Sequence, residues 1–143
     1  MKIILLLLTS LSFIATKSQS VQRTTLDSMI LLSKTKKEKR LLYKTFDNLI
    51  KEKIIGKWSC HNIIMEYKSN GRLLYFYGDT LKRILAWHIK DGKLITEESQ
   101  PLGNSGFNYI NMKTFIIISM SLTRLEYVFL KPEDSIVATR VAN

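Results

Sequence analysis

The sequence is poor in the residues that build covalent cross-links and metal sites. It contains one cysteine, Cys60, and two histidines in 143 residues. A single cysteine excludes an intrachain disulfide, and two histidines without ligand-type spacing provide no zinc-type site. We therefore predict a fold that is held by an ordinary hydrophobic core, with no metal and no cofactor.

Catalytic motifs are also missing. The sequence has no G-x-S-x-G, no P-loop and no G-x-G-x-x-G. Cys60 and His61 are adjacent, and because neighbours on a strand point to opposite faces, we predict that they form no thiolate–imidazole pair. Glu97 and Glu98 diverge for the same reason and make no acid–base pair. The sequence thus predicts a protein that is not an enzyme and has no catalytic residue.

No apolar run is long enough to span a membrane. The longest, residues 3–15, has 13 residues, whereas a spanning helix needs roughly 20. Lys2 precedes this run, and the small-x-small sequence Ser18-Gln19-Ser20 follows it, as is typical of a secretory signal peptide. We predict that residues 1–20 are a cleaved leader and that the rest of the chain is exported, either to a periplasm or out of the cell.

Acidic residues are scarce relative to basic ones. Twelve Asp and Glu face 22 Lys and Arg, which gives a formal net charge of +10. Such an excess favours an anionic partner, either an acidic protein or an anionic membrane surface. Export argues against nucleic acid, and we predict none. A solvated basic face that has no partner at all is the simplest alternative.

Residues 21–55 are predicted to form an N-terminal helical arm. Thr35 and Glu38 have the spacing of a capping box, which marks a helix start. A shorter helix is predicted before it, at about 26–33, and Gly56 ends the helical segment. The apolar residues after the capping box fall on one helical stripe: Leu42, Phe46, Leu49 and Ile50.

Residues 56–143 are predicted to form a β domain. Apolar and polar residues alternate there, and turn signals such as Ser69-Asn70-Gly71 and Asp91-Gly92 divide the segment into about eight short strands. Two of these strands are predicted at Phe107–Met112 and Thr114–Ser121. The connections are too short for crossover helices, so the strands should be antiparallel and form a barrel or a sandwich. Residues 100–106 are predicted to form the one substantial loop.

Aromatic residues are concentrated in these strands. An eight-stranded barrel is just wide enough for its side chains or for one small ligand, and that dimension favours an interior filled by side chains. If a ligand cavity is present instead, we predict that five aromatic residues contact the ligand: Tyr75, Tyr77, Trp87, Tyr109 and Tyr127.

A short motif resembles the signature of a known family. Gly56-Lys57-Trp58 at the first strand is similar to the G-x-W signature of lipocalins and other calycins, and MEYKSNGRLLYFY and LAWHIKDGKLI resemble two hairpins of small bacterial lipocalin-like proteins. The resemblance covers about residues 54–141. It implies an up-and-down antiparallel β-barrel in which Trp58 closes one end beneath an arginine of the last strand, here Arg140. Lipocalins carry a helix after that strand, whereas here the helical arm precedes the barrel.

The resemblance implies an exported, non-enzymatic binding protein that holds a small hydrophobic ligand. The basic arm and the 100–106 loop suggest an alternative, a periplasmic interaction factor of the inhibitor or immunity type with an acidic protein partner. A third hypothesis is attachment of the arm to an anionic membrane surface, with four residues that insert: Met29, Ile30, Leu31 and Leu32. An arm that closed the mouth of the barrel would argue against the ligand.

Overall fold

The structure, a computed structural model, describes residues 20–101, 108–129 and 135–141. Residues 1–19 of the predicted leader and residues 102–106 of the predicted loop therefore lie outside the described residues, whereas Gln100 and Pro101 of that loop belong to a strand. Two helices and nine strands follow along the described chain: β1 Val21–Gln22, α1 Arg23–Leu32, α2 Lys36–Ile54, β2 Gly56–Cys60, β3 Ile63–Tyr67, β4 Arg72–Tyr77, β5 Thr80–Lys90, β6 Lys93–Pro101, β7 Asn108–Met120, β8 Arg124–Phe129 and β9 Ser135–Arg140.

Strands β2 to β9 form a closed antiparallel barrel. Each strand pairs with the next along the chain, and β9 returns to pair with β2, so that Trp58 lies opposite Arg140. Side chains alternate between the interior and the outside, as the two-residue sequence pattern requires. The mainly-β, antiparallel, up-and-down barrel that was predicted from the sequence is confirmed.

A short strand ahead of the helices also joins the sheet. Val21 and Gln22 of β1 pair with Met120 and Ser119, at the part of β7 that lies beyond its pairing with β6. Val21 is 4% exposed and belongs to the hydrophobic core. The two residues directly after the predicted cleavage site are therefore part of the barrel sheet, although the sequence assigned them to the helical arm.

The two helices pack against one end of the barrel. The capping box is confirmed, because the Glu38 amide donates to Thr35 Oγ1 at 3.2 Å and the Thr35 amide donates to Glu38 Oε2 at 3.1 Å. No helix in the described part of the chain is long and apolar enough to cross a bilayer. The buried residues of the helices join the barrel in one hydrophobic cluster: Leu26, Met29, Leu42, Phe46, Ile50 and Ile54.

Polar contacts attach the helices to the β5–β6 turn. Asp47 of α2 accepts hydrogen bonds from the amides of Asp91 at 2.8 Å and Gly92 at 2.7 Å, and Arg23 of α1 donates to the Gly92 carbonyl at 3.0 Å. We call this end of the barrel, with the β5–β6 turn and the start of β2, the closed end. The opposite end, with the β2–β3 and β4–β5 turns, is the mouth.

Asp47→Ala is expected to lower the free energy of unfolding by about 2 kcal/mol, since two backbone amides lose a charged acceptor. The value stays modest because burial raises the pKa of the Asp47 carboxyl, against the two amide hydrogen bonds that lower it. Urea unfolding measures the change. The control is Asp27→Ala, which removes a side chain that is 51% exposed and pairs with Arg23. If Asp27→Ala lowers the free energy of unfolding as much as Asp47→Ala does, the two amide hydrogen bonds of Asp47 make no particular contribution to stability.

Candidate functional site

Trp58 and Arg140 form the floor of the barrel at its closed end. The Trp58 side chain is completely buried, and its Nε1 donates to the Ile54 carbonyl at 2.7 Å. Arg140 Cζ lies 4.5 Å from the centroid of the indole ring, and the guanidinium donates to the carbonyls of Lys53 and, at 3.1 Å, of Ile55. The structure thus brings the predicted pair together. It also shows that both side chains bind carbonyl groups at the C-terminal end of α2, where a helix leaves acceptors unpaired.

Gly56 provides the space that Arg140 occupies. Its φ of +127° is a conformation that favours glycine, and a Cβ at this position would lie 2.8 Å from Arg140 Nη1. Burial lowers the pKa of the Arg140 guanidinium. The glycine and the tryptophan of the G-x-W motif therefore have a common role here, because both lie against the Arg140 guanidinium. We call Gly56, Trp58 and Arg140 the floor unit.

A cavity of about 510 Å³ occupies the half of the barrel between the floor unit and the mouth. Its volume lies within the range of small-molecule sites, about 300–1,000 Å³. The expectation that side chains fill the barrel interior is therefore wrong for this half of the barrel. Three of the apolar side chains that line it are buried, Met65, Leu85 and Phe115, and Ile136 packs against the same core.

Three of the five predicted ligand contacts line this cavity, namely Tyr75, Tyr77 and Tyr127. The side chain of Tyr109 lies outside the described residues. Burial raises the pKa of both Tyr75 and Tyr127, so their phenols are neutral at physiological pH. They add neutral hydroxyl groups to the wall of the cavity.

Trp87, the fifth predicted contact, does not line the cavity. It is 4% exposed, and its Nε1 donates to the carbonyls of Lys68 at 3.2 Å and Arg72 at 3.0 Å. Its ring meets Tyr67 edge to face, with 5.4 Å between centroids. Trp87 belongs to the packed lower half of the barrel, where its indole N–H satisfies the β3–β4 turn.

Charged side chains line the outer part of the cavity and were missed in the sequence. Lys82, Arg83 and Lys113 are exposed cations there, and Glu98 is the acidic residue beside them. Arg83 Nη1 lies 3.6 Å from Glu98 Oε2, so these two residues form an ion pair. Lys82 and Lys113 are two further cations at this rim, and the rim has a net positive charge. Glu98 is two residues from buried Thr96 on β6, and Lys113 is the register partner of Thr96 on β7, so all three side chains point to the inside of the barrel. This alternation in the sequence could have predicted that Glu98 and Lys113 face the interior.

A β-bulge lies between β4 and β5 beside the basic residues Lys82 and Arg83. Tyr75 pairs with Arg83, whereas its neighbour Phe76 pairs with Leu81, so Lys82 has no partner on β4. An extra residue of this kind redirects side chains locally. Two consecutive basic residues, Lys82 and Arg83, consequently both reach the rim of the cavity.

The prediction that Cys60 and His61 point apart is wrong. His61 lies in the β2–β3 turn with a φ of +54°, and its Nδ1 is 3.3 Å from Cys60 Sγ. Burial raises the pKa of the Cys60 thiol, which opposes the thiolate that a nucleophile needs. In the described part of the chain, no hydrogen bond to a second side chain orients His61. Cys60 therefore contributes a protonated thiol to the cavity wall.

Comparison of the chain with known protein families, with curated proteins and with solved structures finds no match. The barrel is established by its own strand pairing. Within residues 20–101, 108–129 and 135–141, no group of three or more histidine, cysteine or acidic side chains is placed to hold a metal ion.

Proposed function

We propose that the protein is an exported, non-enzymatic, lipocalin-like binding protein that holds one small apolar ligand in the barrel cavity. The observation that supports this most is the cavity of about 510 Å³ above a closed floor. Transfer of apolar surface from water into such a cavity is favourable by about 25 cal/mol per Å². The helical arm, which could have obstructed the mouth, packs at the opposite end.

The charges at the rim favour a ligand with an acidic head group. Lys82, Arg83 and Lys113 exceed the single carboxylate of Glu98, whereas the deeper wall is apolar apart from neutral hydroxyls. An amphiphile can place its apolar chain against Phe115 and its acid at the rim, where ion pairing costs little desolvation. A single-chain fatty acid has this chemistry. Export is proposed from the leader-like residues 1–20 alone.

Thiol labelling of Cys60 provides the test, because it is the only cysteine in the sequence and it lines the cavity. Labelling with N-ethylmaleimide should be slow at neutral pH, since burial raises the thiol pKa. A fatty acid at ten times its dissociation constant should slow the reaction about tenfold, because the rate follows the unoccupied fraction. Mass spectrometry of the adduct measures the rate.

Two matched tryptophan variants locate the protection. Thr96→Trp places an indole in the cavity wall, where Thr96 is 2% exposed, and should abolish protection by the fatty acid. His88→Trp adds the same indole to the exposed face of the neighbouring strand and should leave protection intact. Circular dichroism establishes that both variants are folded. Equal labelling rates with and without fatty acids and alcohols of several chain lengths would overturn the proposal.

The head group is tested separately with alcohols. A fatty acid should protect Cys60 at a lower concentration than the alcohol of the same length, because only the acid meets the cations at the rim. Lys113→Glu should remove that difference while the alcohol still protects. If acid and alcohol protect equally in the unmodified protein, the cavity binds apolar ligands without a preference for acids.

A further inference from the structure

The turn between the two helices begins at the end of α1, where two consecutive leucines are exposed. Leu31 is 85% and Leu32 is 68% exposed, more than any other large apolar side chain in the described residues. They end α1, whose core-facing side is formed by buried Leu26 and Met29. The two leucines therefore protrude from the protein, and the fold leaves their apolar surface in water.

Basic residues surround this turn. The acidic residue among them, Glu38, is used by the capping box and accepts from the amides of Lys34 at 2.7 Å and Thr35 at 3.1 Å. Its charge is thus directed at the backbone. The cations that follow the leucines are all exposed: Lys34, Lys36, Lys37, Lys39 and Arg40.

Part of this charge lines a cleft of about 550 Å³ between the helices and the β5–β6 hairpin. Asp91 is the one acidic residue in its lining. Among the described residues, Arg23 is the only one of the lining cations that forms an ion pair, with Asp27 at 2.9 Å. The other cations repel one another across the cleft, and an anion would relieve that repulsion. These cations come from α2 and from β6: Lys36, Lys39, Arg40 and Lys93.

We propose that residues 31–40, which comprise the end of α1, the connection and the start of α2, dock together with this basic cleft on the surface of an anionic lipid bilayer. Leu31 and Leu32 insert at the level of the head groups, and the cleft binds lipid phosphates. Protruding leucines flanked by lysines are the pattern of an interfacial anchor, in which apolar insertion and attraction to anionic lipid add. Because Leu31 and Leu32 are so fully exposed, a bilayer can receive them without a preformed apolar groove, which an acidic protein partner would have to supply.

Two of the four residues that were expected to insert are not available. Met29 is 4% exposed and lies in the core, and Ile30 packs against the same core. The insertion surface is therefore limited to Leu31 and Leu32. The docking surface is at the closed end of the barrel, so the mouth remains free, and this inference holds with or without a ligand in the cavity.

Sedimentation with vesicles tests the docking surface. The full chain is mixed with phosphatidylcholine vesicles that either contain or lack phosphatidylglycerol, and the bound fraction gives a ratio of partition coefficients. We expect at least about a tenfold preference for the anionic vesicles, which should fall steeply with added salt. The predicted leader is common to all variants, so its contribution cancels when their ratios are compared.

The charge and the leucines are tested with matched pairs. Lys36→Gln with Lys39→Gln should remove most of the preference for anionic vesicles. Lys44→Gln with Lys51→Gln changes the net charge equally, on exposed positions of the same helix outside the cleft, and should retain most of it. Leu31→Ser with Leu32→Ser should reduce binding about tenfold.

The apolar control is Ile84→Ser with Met112→Ser, which removes side chains that are 54% and 61% exposed on the barrel. This pair should bind vesicles as the unmodified protein does. Three outcomes would overturn the proposal: no preference for anionic vesicles, equal effects of the two lysine pairs, or a leucine pair that binds normally. Binding to an acidic protein without binding to vesicles would also overturn it and would support an interaction factor.

Discussion

Replacing Trp58 with alanine is expected to lower the free energy of unfolding by about 3–5 kcal/mol, the usual cost of deleting a fully buried large aromatic side chain. The indole is 0% exposed, and it is in contact both with α2, through the Ile54 carbonyl, and with Arg140 of β9. Its removal leaves a void in the floor of the barrel and an unpaired carbonyl at the end of the helix. Urea unfolding followed by circular dichroism measures the change.

Two further variants separate packing from hydrogen bonding at this position. Trp58→Phe keeps an aromatic ring but loses the 2.7 Å bond to the Ile54 carbonyl, and it should lose only about 1–2 kcal/mol. Tyr77→Ala removes an aromatic residue of the barrel that is 58% exposed and should lose less than either. If Trp58→Ala destabilises the protein no more than Tyr77→Ala does, the floor unit is not what closes the barrel.

The elements that could be predicted from the sequence are those with a local physical cause. The capping box of Thr35 and Glu38 predicts the start of α2 because both hydrogen bonds form within four residues. Asp91-Gly92 predicts a hairpin because both residues adopt positive φ values, 52° and 71°. These interactions form between chain neighbours, and the tertiary structure does not overrule them.

The elements that were mispredicted depend on distant parts of the chain. The alternation pattern predicts two strands, Phe107–Met112 and Thr114–Ser121, where the structure has the single strand β7. Its pairing with both β6 and β8 keeps it continuous, with an irregular register between Ile117 and Ser119. The strand β1 was not predicted because two residues carry no periodicity, and only their pairing with β7 defines them.

The candidate site was predicted in part for a related reason. Alternation tells which side chains point into a barrel, but it does not tell how deep each one lies. Tyr75 and Trp87 both have the inward phase, yet Tyr75 reaches the cavity while Trp87 is packed below it. Depth depends on the strand register and on the turns, and the β3–β4 turn binds the Trp87 indole at the closed half.

The cationic rim was missed because inward charges contradict the assumption that a barrel interior is apolar. Thr96 and Lys113 are register partners, so both point the same way, although one is buried and the other is exposed. A barrel that is packed at one end and hollow at the other has room for ionised groups only near the mouth. The same gradient from the apolar inner wall of the cavity to its charged rim is what supports an amphiphile as the ligand.

Arg140→Met is expected to lower the free energy of unfolding by about 2–4 kcal/mol. Methionine covers a similar apolar area, but it leaves the carbonyls of Lys53 and Ile55 without their donors at the negative end of the α2 dipole. Arg140→Lys keeps the positive charge but lacks the planar guanidinium with its several N–H donors. It should lower the free energy of unfolding by about half as much as Arg140→Met. Arg124→Met is the control, since its side chain is 57% exposed and lies 3.6 Å from Glu126; its change should stay below about 1 kcal/mol.

A double-mutant cycle then divides the contribution of Arg140 between the indole and the helix. Trp58→Leu removes the aromatic face but keeps a buried apolar side chain beneath the guanidinium. Because Arg140 Cζ is 4.5 Å from the ring centroid, we expect this change and Arg140→Met to be coupled by about 1 kcal/mol. Additive effects would mean that the cation–π contact contributes nothing. In that case Arg140 stabilises the closed end through the carbonyls of α2 alone, and Gly56 leaves space for a helix cap.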